Sequence, residues 1–360
     1  MAHSGRRVIT SSPENSETPA HAFRNWITPN EQFYVRNHFD DPEIDRSGWS
    51  LAVTGCVKRD LRLTWESLNK MPQASLVATL ECAGNGRAFL EGENPGVQWE
   101  AGAVGNAEWS GVAVGKLLES AGIAEGALEA VFEGSDSGVD SEPAGQVRFA
   151  RSLPLAMALH PDTLIALRMN GEVLEKAHGY PARLVVPGWY GVASVKWLRA
   201  VRVVSAPFQG YFQSARYTVK RRTARGLRDD VVAMMLPKSE ITRPRPGEPV
   251  AMGSVLVEGV AWAGPESVAA VEVSCDGGQS WRKAELVGPK RRYAWTHWRL
   301  VWSPSRPGPC QLLARAVSES GEIQPTRHNP LHGGYHINFS RPLEISVQER
   351  QGSRPLTFEI

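Results

Sequence analysis

The chain has 360 residues, of which 42% are hydrophobic and 22% charged, a composition typical of a globular protein with room for two domains. Its 40 Lys and Arg residues nearly balance its 38 Asp and Glu residues, which excludes a strongly basic protein built to bind nucleic acid or an anionic membrane surface. No stretch approaches the roughly 18–20 apolar residues that a membrane-spanning helix requires, so we expect no membrane span.

Residues 1–22 come first in the chain and are polar, with two prolines and no apolar periodicity. We therefore predict a flexible N-terminal segment. No hydrophobic segment follows Arg6 and Arg7, which argues against a secretory or twin-arginine signal. The sequence predicts a cytoplasmic protein, and a periplasmic one only if a leader has been removed.

The next part of the chain mixes short strands with a few short helices. LTWESLNKM predicts a helix capped by Thr64, and GVAVGKLLESAG predicts a second helix that ends at Gly122. Ser152 is expected to cap a helix over LPLAMAL. Asn170-Gly171 predicts a type I′ hairpin turn between two apolar-rich strands.

The pattern changes after KSEITRPRPGEPV, a Pro- and Arg-rich passage that we interpret as a linker over 238–250. Beyond it, short strands recur at a spacing of roughly 8–12 residues and alternate apolar with polar side chains, as in VEVSC, which is typical of an antiparallel β-sandwich of immunoglobulin type. The predicted organisation is a flexible segment (1–22), an α+β domain (23–235), an Ig-like sandwich (236–350) and a C-terminal tail (351–360).

The four cysteines have no C-x-x-C spacing and no paired histidine spacing, which argues against structural zinc, an iron–sulfur cluster and covalent haem. Cys56, Cys275 and Cys310 lie in strand-like contexts and are interpreted as small buried hydrophobic residues with free thiols. Cys82 differs, because TLECAGNGR places it between an apolar strand and a glycine-rich turn. Arg87 is close enough in sequence to favour the thiolate, which binds metal or attacks an electrophile. A phosphate-binding loop is a weak alternative, since the run lacks the P-loop and Rossmann patterns.

ECAGNGR resembles the cysteine motif of the sulfite oxidase family of molybdenum enzymes, and further segments resemble that family's motifs in the same order along the chain. They are YVRNH (34–38), VQWEAGA around Trp99, FEGSD ending at Asp136, HGYPARLVVPG (178–188), ASVKWL (193–198), FQSARY ending at Tyr217 and NPLHGGYHIN (329–338). The resemblance implies a mixed α+β cofactor domain followed by an Ig-like dimerisation domain. It also implies a molybdenum bound by the dithiolene sulfurs of one molybdopterin, by Cys82 and by oxo groups.

The resemblance assigns roles to individual residues. Cys82 is the expected metal ligand, and Arg36 and Arg87 are expected to bind substrate, because guanidinium forks suit a tetrahedral oxyanion. Tyr217 matches a phenol that donates to an oxo or substrate oxygen, and Trp99 matches the pocket wall. The residues expected to hold the cofactor are Tyr34, Arg36, Asn37, His38, Asp136, His178, Arg183, Ser194, Val195 and Lys196. A further substrate arginine comes from the sandwich domain in some relatives, for which Arg291 or Arg292 is a candidate.

The implied activity is oxidation of sulfite to sulfate by oxygen-atom transfer, in a homodimer. Because no cytochrome b5-like segment is evident, we expect electrons to leave to an external acceptor such as a cytochrome c. Two departures from the family leave the substrate open: Glu81 stands where Gln is common, and Gly86 where many relatives carry Arg. The alternatives are a reductase of nitrate or a sulfoxide on the same scaffold, or a non-catalytic relative that has lost the metal.

Overall fold

The structure, a computed structural model, describes residues 5–140 and 145–349. Its N-terminal part is built mainly from short strands, with three α-helices among the described residues. The elements are β1 (Arg7–Ser11), β2 (Glu14–Glu17), β3 (Val35–Arg36), β4 (Ser50–Gly55), β5 (Leu61–Thr64), α1 (Trp65–Lys70), β6 (Ala74–Glu81), β7 (Val104–Ala113), α2 (Val114–Ala121), β8 (Glu129–Asp140), β9 (Gly145–Pro154), α3 (Leu155–Ala158), β10 (Leu164–Met169), β11 (Glu172–Val173), β12 (Arg183–Val185), β13 (Leu198–Val204), β14 (Thr218–Thr223) and β15 (Gly226–Val231).

Two five-stranded sheets form the body of this part. One has the order β5-β4-β13-β8-β9, with β4 and β13 parallel, and the other has the order β11-β10-β7-β6, with β12 paired to β10. Alternation along β4 and β13 buries one face of the first sheet, whereas β10 of the second sheet is buried on both faces. Leu51, Phe132, Ile165 and Leu198 meet in one apolar core. The predicted α+β class therefore overstates the helical content, because the described chain is mostly β.

Three of the four local predictions are confirmed. Thr64 caps α1 by accepting a hydrogen bond from the backbone N–H of Ser67, and α2 ends at Gly122, whose φ of 72° suits glycine. Asn170 and Gly171 form the two-residue loop between β10 and β11, both with positive φ as a type I′ turn requires. The predicted cap at Ser152 is wrong, because Ser152 pairs with Val131 inside β9 and the short helix begins only after Pro154.

The prediction of a flexible segment over residues 1–22 is wrong for the described residues of that range. β1 and β2 pair with each other, and β2 pairs with β3, in a three-stranded sheet. Glu17 is buried and accepts hydrogen bonds from the backbone N–H of Glu100 at 2.6 Å and from Arg7 at 2.8 Å. Polar hydrogen bonds rather than an apolar stripe hold this segment, which is why hydrophobic periodicity gave no signal.

The C-terminal part contains two sheets packed around one apolar core that includes Val257, Val271, Trp298 and Leu312. The strands are β16 (Lys238–Arg243), β17 (Pro249–Ala251), β18 (Val255–Trp262), β19 (Val268–Ser274), β20 (Arg282–Lys283), β21 (Glu285–Val287), β22 (Thr296–Trp302), β23 (Gly308–Ser318) and β24 (Leu343–Gln348). The sheets have the orders β16-β18-β22-β21 and β17-β24-β23-β19-β20.

The interpretation of 238–250 as a linker is wrong, because its first six residues are β16, paired with β18. Lys238, Ser239 and Glu240 are buried there by contacts that a single sequence does not reveal. The predicted tail over 351–360 lies outside the described residues. Cys56, Cys275 and Cys310 are free thiols, as expected, but each is only half-buried.

The two parts of the chain share an extensive contact. Trp26 and Trp295 exchange hydrogen bonds between their indole N–H groups and each other's backbone carbonyls, at 2.9 and 3.3 Å. Trp262 and Trp295 of the C-terminal part also pack into the N-terminal core. Across the described ranges, no helix combines the length and apolar character needed to cross a membrane.

Candidate active site

Cys82 lies directly after β6 and is 6% exposed. Its backbone N–H donates to the carbonyl of Ala103 at 2.8 Å, and its carbonyl accepts from the N–H of Asn85 at 2.9 Å. The second bond closes the turn from Cys82 to Asn85, and the first attaches the start of the turn to the neighbouring chain segment. The thiol packs in an apolar cluster with Tyr34 and Trp99. Within residues 5–140 and 145–349, no group of three or more His, Cys, Asp or Glu side chains is placed to hold a metal.

An inner hollow has the Cys82 side chain in its wall. The structure brings nine of the ten predicted cofactor-binding residues to this wall. They are Tyr34, Arg36, Asn37, His38, Asp136, His178, Arg183, Ser194 and Lys196.

Buried cations dominate this inner hollow. Arg183 donates to the carbonyls of His178 and Ser194 at 3.0 and 3.1 Å, and burial lowers the pKa of its guanidinium to about 10. Lys196 donates to the carbonyl of Ala177 at 2.8 Å and to the side chain of Asn37, and burial lowers the pKa of its ammonium to about 7. Such a cluster favours an anionic ligand.

Two buried polar atoms of this wall have no hydrogen-bond partner among the described residues: Asp136 Oδ1 and Arg183 Nε. Burial also raises the pKa of Asp136 to about 6. Buried polar atoms almost always have a hydrogen-bond partner in native proteins. The open acceptor on Asp136 and the open donor on Arg183 therefore suit a ligand that has hydrogen-bonding groups of its own and a negative charge. A pterin carrying a phosphate has both, and the Cys82 thiol supplies a soft ligand for its metal. These residues therefore fit the molybdopterin that the sequence implies.

Cys82, Arg36 and Tyr217 also border a second, outer hollow, together with Arg87. Arg87 is buried, with Nη1 donating to the carbonyl of Val97 at 2.8 Å and Nη2 to that of Gly334 at 2.7 Å. Two predicted substrate arginines thus face one hollow that contains the predicted metal ligand.

Glycines make the space that Arg87 occupies. A Cβ on Gly84 would lie 2.3 Å from Arg87 Nη2, and one on Gly334 would lie 2.8 Å from Arg87 Nε. The third close glycine is Gly96, where a Cβ would lie 2.9 Å from Nη1. The glycine-rich turn therefore leaves room for the Arg87 guanidinium and is not a phosphate-binding loop.

Tyr217 shares a hydrogen bond of 2.7 Å with His38 Nε2. Burial raises the pKa of Tyr217 to about 12, and burial together with the nearby Arg36 holds the pKa of His38 well below its usual range. The phenol is therefore protonated and the imidazole neutral at physiological pH. Tyr217 has a φ of 52°, an uncommon conformation for a residue other than glycine, and such strain clusters at functional sites.

Four predicted site residues lie elsewhere than expected. Trp99 is fully buried beside Cys82 but borders neither hollow, and Val195 is a fully buried core residue whose neighbours Ser194 and Lys196 reach the inner hollow instead. Arg291 and Arg292 are exposed and line neither hollow; Arg292 donates to the carbonyl of Pro265 at 2.9 Å.

The C-terminal part reaches the outer hollow through Tyr335, which sequence reasoning missed. Its ring packs against that of Tyr217, with centroids 4.8 Å apart, and under the guanidinium of Arg87. A second missed residue is Asn15, whose Oδ1 accepts from Arg36 Nη1 at 3.2 Å. Tyr335 lies in the NPLHGGYHIN motif, which could have indicated it as a site residue. Asn15 had no such motif, because it is in the segment predicted to be flexible.

Comparisons with known proteins agree with this geometry. Residues 38–212 match the family described as oxidoreductase molybdopterin binding domain, and residues 230–333 match the Mo-co oxidoreductase dimerisation domain. The chain is 36% identical to a sulfite oxidase of Gallus gallus over 353 residues, which is 91% of this chain and 75% of that protein. It is 34% identical to the mitochondrial sulfite oxidase of Rattus norvegicus over 355 residues, which is 92% of this chain but only 63% of the longer rat protein.

Among solved structures, the sulfane dehydrogenase SoxCD of Paracoccus pantotrophus superposes with a TM-score of 0.82 at 31% identity, covering 95% of this chain and 88% of that one. Sequence and structure therefore agree over nearly the whole chain, and both domains match in order. The chain belongs to the sulfite oxidase family of molybdopterin-dependent oxidoreductases.

Proposed function

We propose that this protein oxidises sulfite to sulfate and passes the electrons to an external acceptor such as a cytochrome c. The observation that carries the proposal is the outer hollow, in which Arg36, Arg87 and Tyr217 face the same space as the Cys82 thiol. The names of its sulfite oxidase relatives support the same substrate.

The overall reaction takes sulfite and water to sulfate, two protons and two electrons. When bound, the molybdenum cofactor accepts the electron pair and supplies the oxygen atom, which water replaces. Cys82 would ligate the metal, while Arg183, Lys196 and His178 would hold the pterin and its phosphate in the inner hollow.

Arg36 and Arg87 would bind the sulfite dianion. Planar guanidinium groups offer paired N–H donors to a tetrahedral oxyanion. Arg87 is already held by two backbone carbonyls, so binding needs little reorganisation of its side chain. In a hollow partly screened from water these contacts are stronger than in bulk solvent.

Tyr217 would donate its phenolic proton to an oxygen of the substrate or product. Its pKa, raised to about 12, keeps that proton on Oη at physiological pH. His38 is neutral, and its Nε2 lies 2.7 Å from Oη. In the tautomer with the proton on Nε2, His38 would donate to Oη and leave the phenolic proton free for the substrate. The Tyr335 ring, from the C-terminal part of the chain, packs against that of Tyr217 and helps to hold it in place.

We further infer that the C-terminal part is an immunoglobulin-type sandwich through which two copies of the chain associate. Its two facing sheets around one apolar core support the first statement, and its match to a dimerisation domain supports the second. Light scattering is expected to give twice the chain mass of 39.4 kDa. A monomer at micromolar concentration would contradict the homodimer.

The test of the activity is a substrate screen on molybdenum-loaded protein, with each rate normalised to metal content. We expect sulfite to reduce cytochrome c or ferricyanide, the acceptors that are also used for sulfane sulfur, whereas nitrate and methionine sulfoxide are assayed with a chemical electron donor such as reduced methyl viologen. Each of these three compounds should turn over at least tenfold more slowly than sulfite, about 1.4 kcal/mol of transition-state discrimination. Faster turnover of any of the other three would replace the proposal. A protein that retains no molybdenum when expressed with the cofactor would instead be a non-catalytic relative.

A further inference from the structure

Glu81, the residue before Cys82, is a buried carboxylate whose two oxygens are both used. It is 1% exposed, and its Oε1 accepts from Lys238 Nζ and from Asn85 Nδ2, each at 3.0 Å. Its Oε2 accepts from the indole N–H of Trp262 at 2.9 Å. Two of these three donors belong to the C-terminal part of the chain.

These contacts surround the turn that carries the thiol. Asn85 is bound to Glu81 through its side chain, donates its backbone N–H to the carbonyl of Cys82 at 2.9 Å, and accepts from the N–H of Ala103 at 3.0 Å. Lys238 also donates to the backbone carbonyl of Asn85 at 3.1 Å. The backbone on both sides of the Cys82 sulfur is therefore held by one carboxylate and one ammonium.

The charges around this pair balance. Lys238 lies 3.0 Å from Glu81 and 4.0 Å from Glu240, and Glu240 is in turn paired with Arg341 at 2.7 Å. The side chains of Glu81 and Lys238 are only 2% and 3% exposed, so water cannot take the place of either partner. Removing the Lys238 charge leaves Glu81 buried without a cation, and removing the Glu81 charge leaves Lys238 with only the longer contact to Glu240. Either loss is expected to cost more than removing both charges.

Glu81 and Gly86, the two positions at which the chain departs from the family motif, both contribute to this arrangement. Gly86 has a φ of 101°, and a Cβ there would lie 3.1 Å from Ile337 and 3.7 Å from Lys238 Nζ. A long cationic side chain at position 86 would meet Ile337 and the Lys238 ammonium. Glycine at 86 leaves room for Lys238, and glutamate at 81 neutralises it.

We propose that Glu81 is a positioning residue: its buried ion pair with Lys238 fixes the Cys82 turn, so that the C-terminal domain sets the geometry of the metal ligand. The inference rests on the proposed role of Cys82 as that ligand. It predicts that breaking the pair exposes and reorients the thiol while the fold persists.

The variants follow from hydrogen-bonding chemistry. In Glu81→Gln the amide has one oxygen, so its nitrogen must face either Trp262 or Lys238, both of which are donors. Lys238→Met leaves Glu81 without its cation, whereas the double variant Glu81→Gln/Lys238→Met removes both charges. Glu272→Gln is the matched control, because Glu272 pairs with Arg315 at 2.7 Å within the C-terminal sheet, away from the turn.

The first measurement uses cofactor-free protein and follows the alkylation of Cys82 by iodoacetamide with peptide mass spectrometry. Each single variant should raise the rate about tenfold, the change expected when one buried hydrogen bond is lost. The double variant should lie closer to wild type, and Glu272→Gln should equal wild type. The second measurement follows the loss of molybdenum from loaded protein during dialysis, which should be roughly 10–100-fold faster in the single variants.

Wild-type alkylation rates in both folded single variants would overturn the inference, as would an equal increase in Glu272→Gln. If the single variants do not fold, Trp262→Phe removes only the donor to Oε2 and must still raise the alkylation rate. A protein that never binds molybdenum would refute the proposed function, but the alkylation measurement would still decide whether Glu81 positions Cys82.

Discussion

Replacing Gly84 with alanine should impair catalysis by displacing a side chain that the substitution does not remove. The new Cβ would lie 2.3 Å from Arg87 Nη2 and 2.6 Å from its Cζ, closer than non-bonded carbon atoms approach. The guanidinium is the movable partner, so it must leave the position where the carbonyls of Val97 and Gly334 hold it. No charge is lost, yet the substrate loses a correctly placed donor.

The expected magnitude follows from that lost contact. A hydrogen bond to a charged group contributes about 1.5–3 kcal/mol, and about 1.4 kcal/mol corresponds to a factor of ten in rate. We therefore expect kcat/KM for sulfite, normalised to molybdenum content, to fall about 10- to 150-fold in Gly84→Ala. Gly334→Ala approaches the same guanidinium from the C-terminal part, with its Cβ 2.8 Å from Arg87 Nε, and should cause a loss of the same kind.

The control and the double variant make this prediction refutable. Gly48→Ala adds a Cβ with no atom within 4 Å and should leave kcat/KM unchanged. Arg87→Met alone should cost at least as much as Gly84→Ala, and the two combined should cost no more than Arg87→Met. Additive losses, or a Gly84→Ala enzyme with wild-type kcat/KM, would show that Arg87 does not act from this position.

Three further predictions concern other parts of the site. Burial lowers the pKa of His178 to about 3, whereas its pKa in the unfolded chain is about 6.5. Between these values the unfolded chain binds a proton that the folded chain does not, so stability falls as the pH decreases from about 6.5 towards 3. His178→Gln should flatten the slope of Tm against pH in this window, and an unchanged slope would contradict the buried neutral imidazole. Lys196→Met should lower the pterin content of purified protein about 10-fold relative to Arg291→Ala, as measured by fluorescence of the oxidised pterin, and equal contents would contradict its place in the cofactor wall. The double variant Arg291→Ala/Arg292→Ala should change kcat/KM for sulfite less than about twofold, because neither side chain lines the outer hollow, and a larger loss would restore them as substrate residues.

Much of the candidate site could be predicted because its residues are in short segments with local constraints. The CAGNG turn follows an apolar strand, so the position of Cys82 at the end of β6 follows from local pattern alone. The YVRNH and FQSARY motifs predict Arg36 and Tyr217 as site residues, and the structure brings both to the hollows that Cys82 borders.

The contacts that were missed join segments distant in sequence. Lys238 reads as part of a Pro- and Arg-rich linker, and only its pairing across 157 residues with Glu81 explains why it is buried. Asn15 is in a polar stretch, yet it is buried and orients Arg36. The resemblance predicts Trp99 in the pocket wall, but packing buries it in the apolar cluster of Cys82, where it borders neither hollow. Such polar, long-range pairings leave no periodic signal in one sequence.

X-ray absorption at the molybdenum edge tests the central claim most directly, namely that the thiolate of Cys82 ligates a pterin-bound molybdenum. The account predicts one sulfur ligand fewer in Cys82→Ser than in the wild-type enzyme, with the same pterin content in both and no sulfite oxidation in the variant. An identical number of sulfur ligands in the two proteins would contradict it.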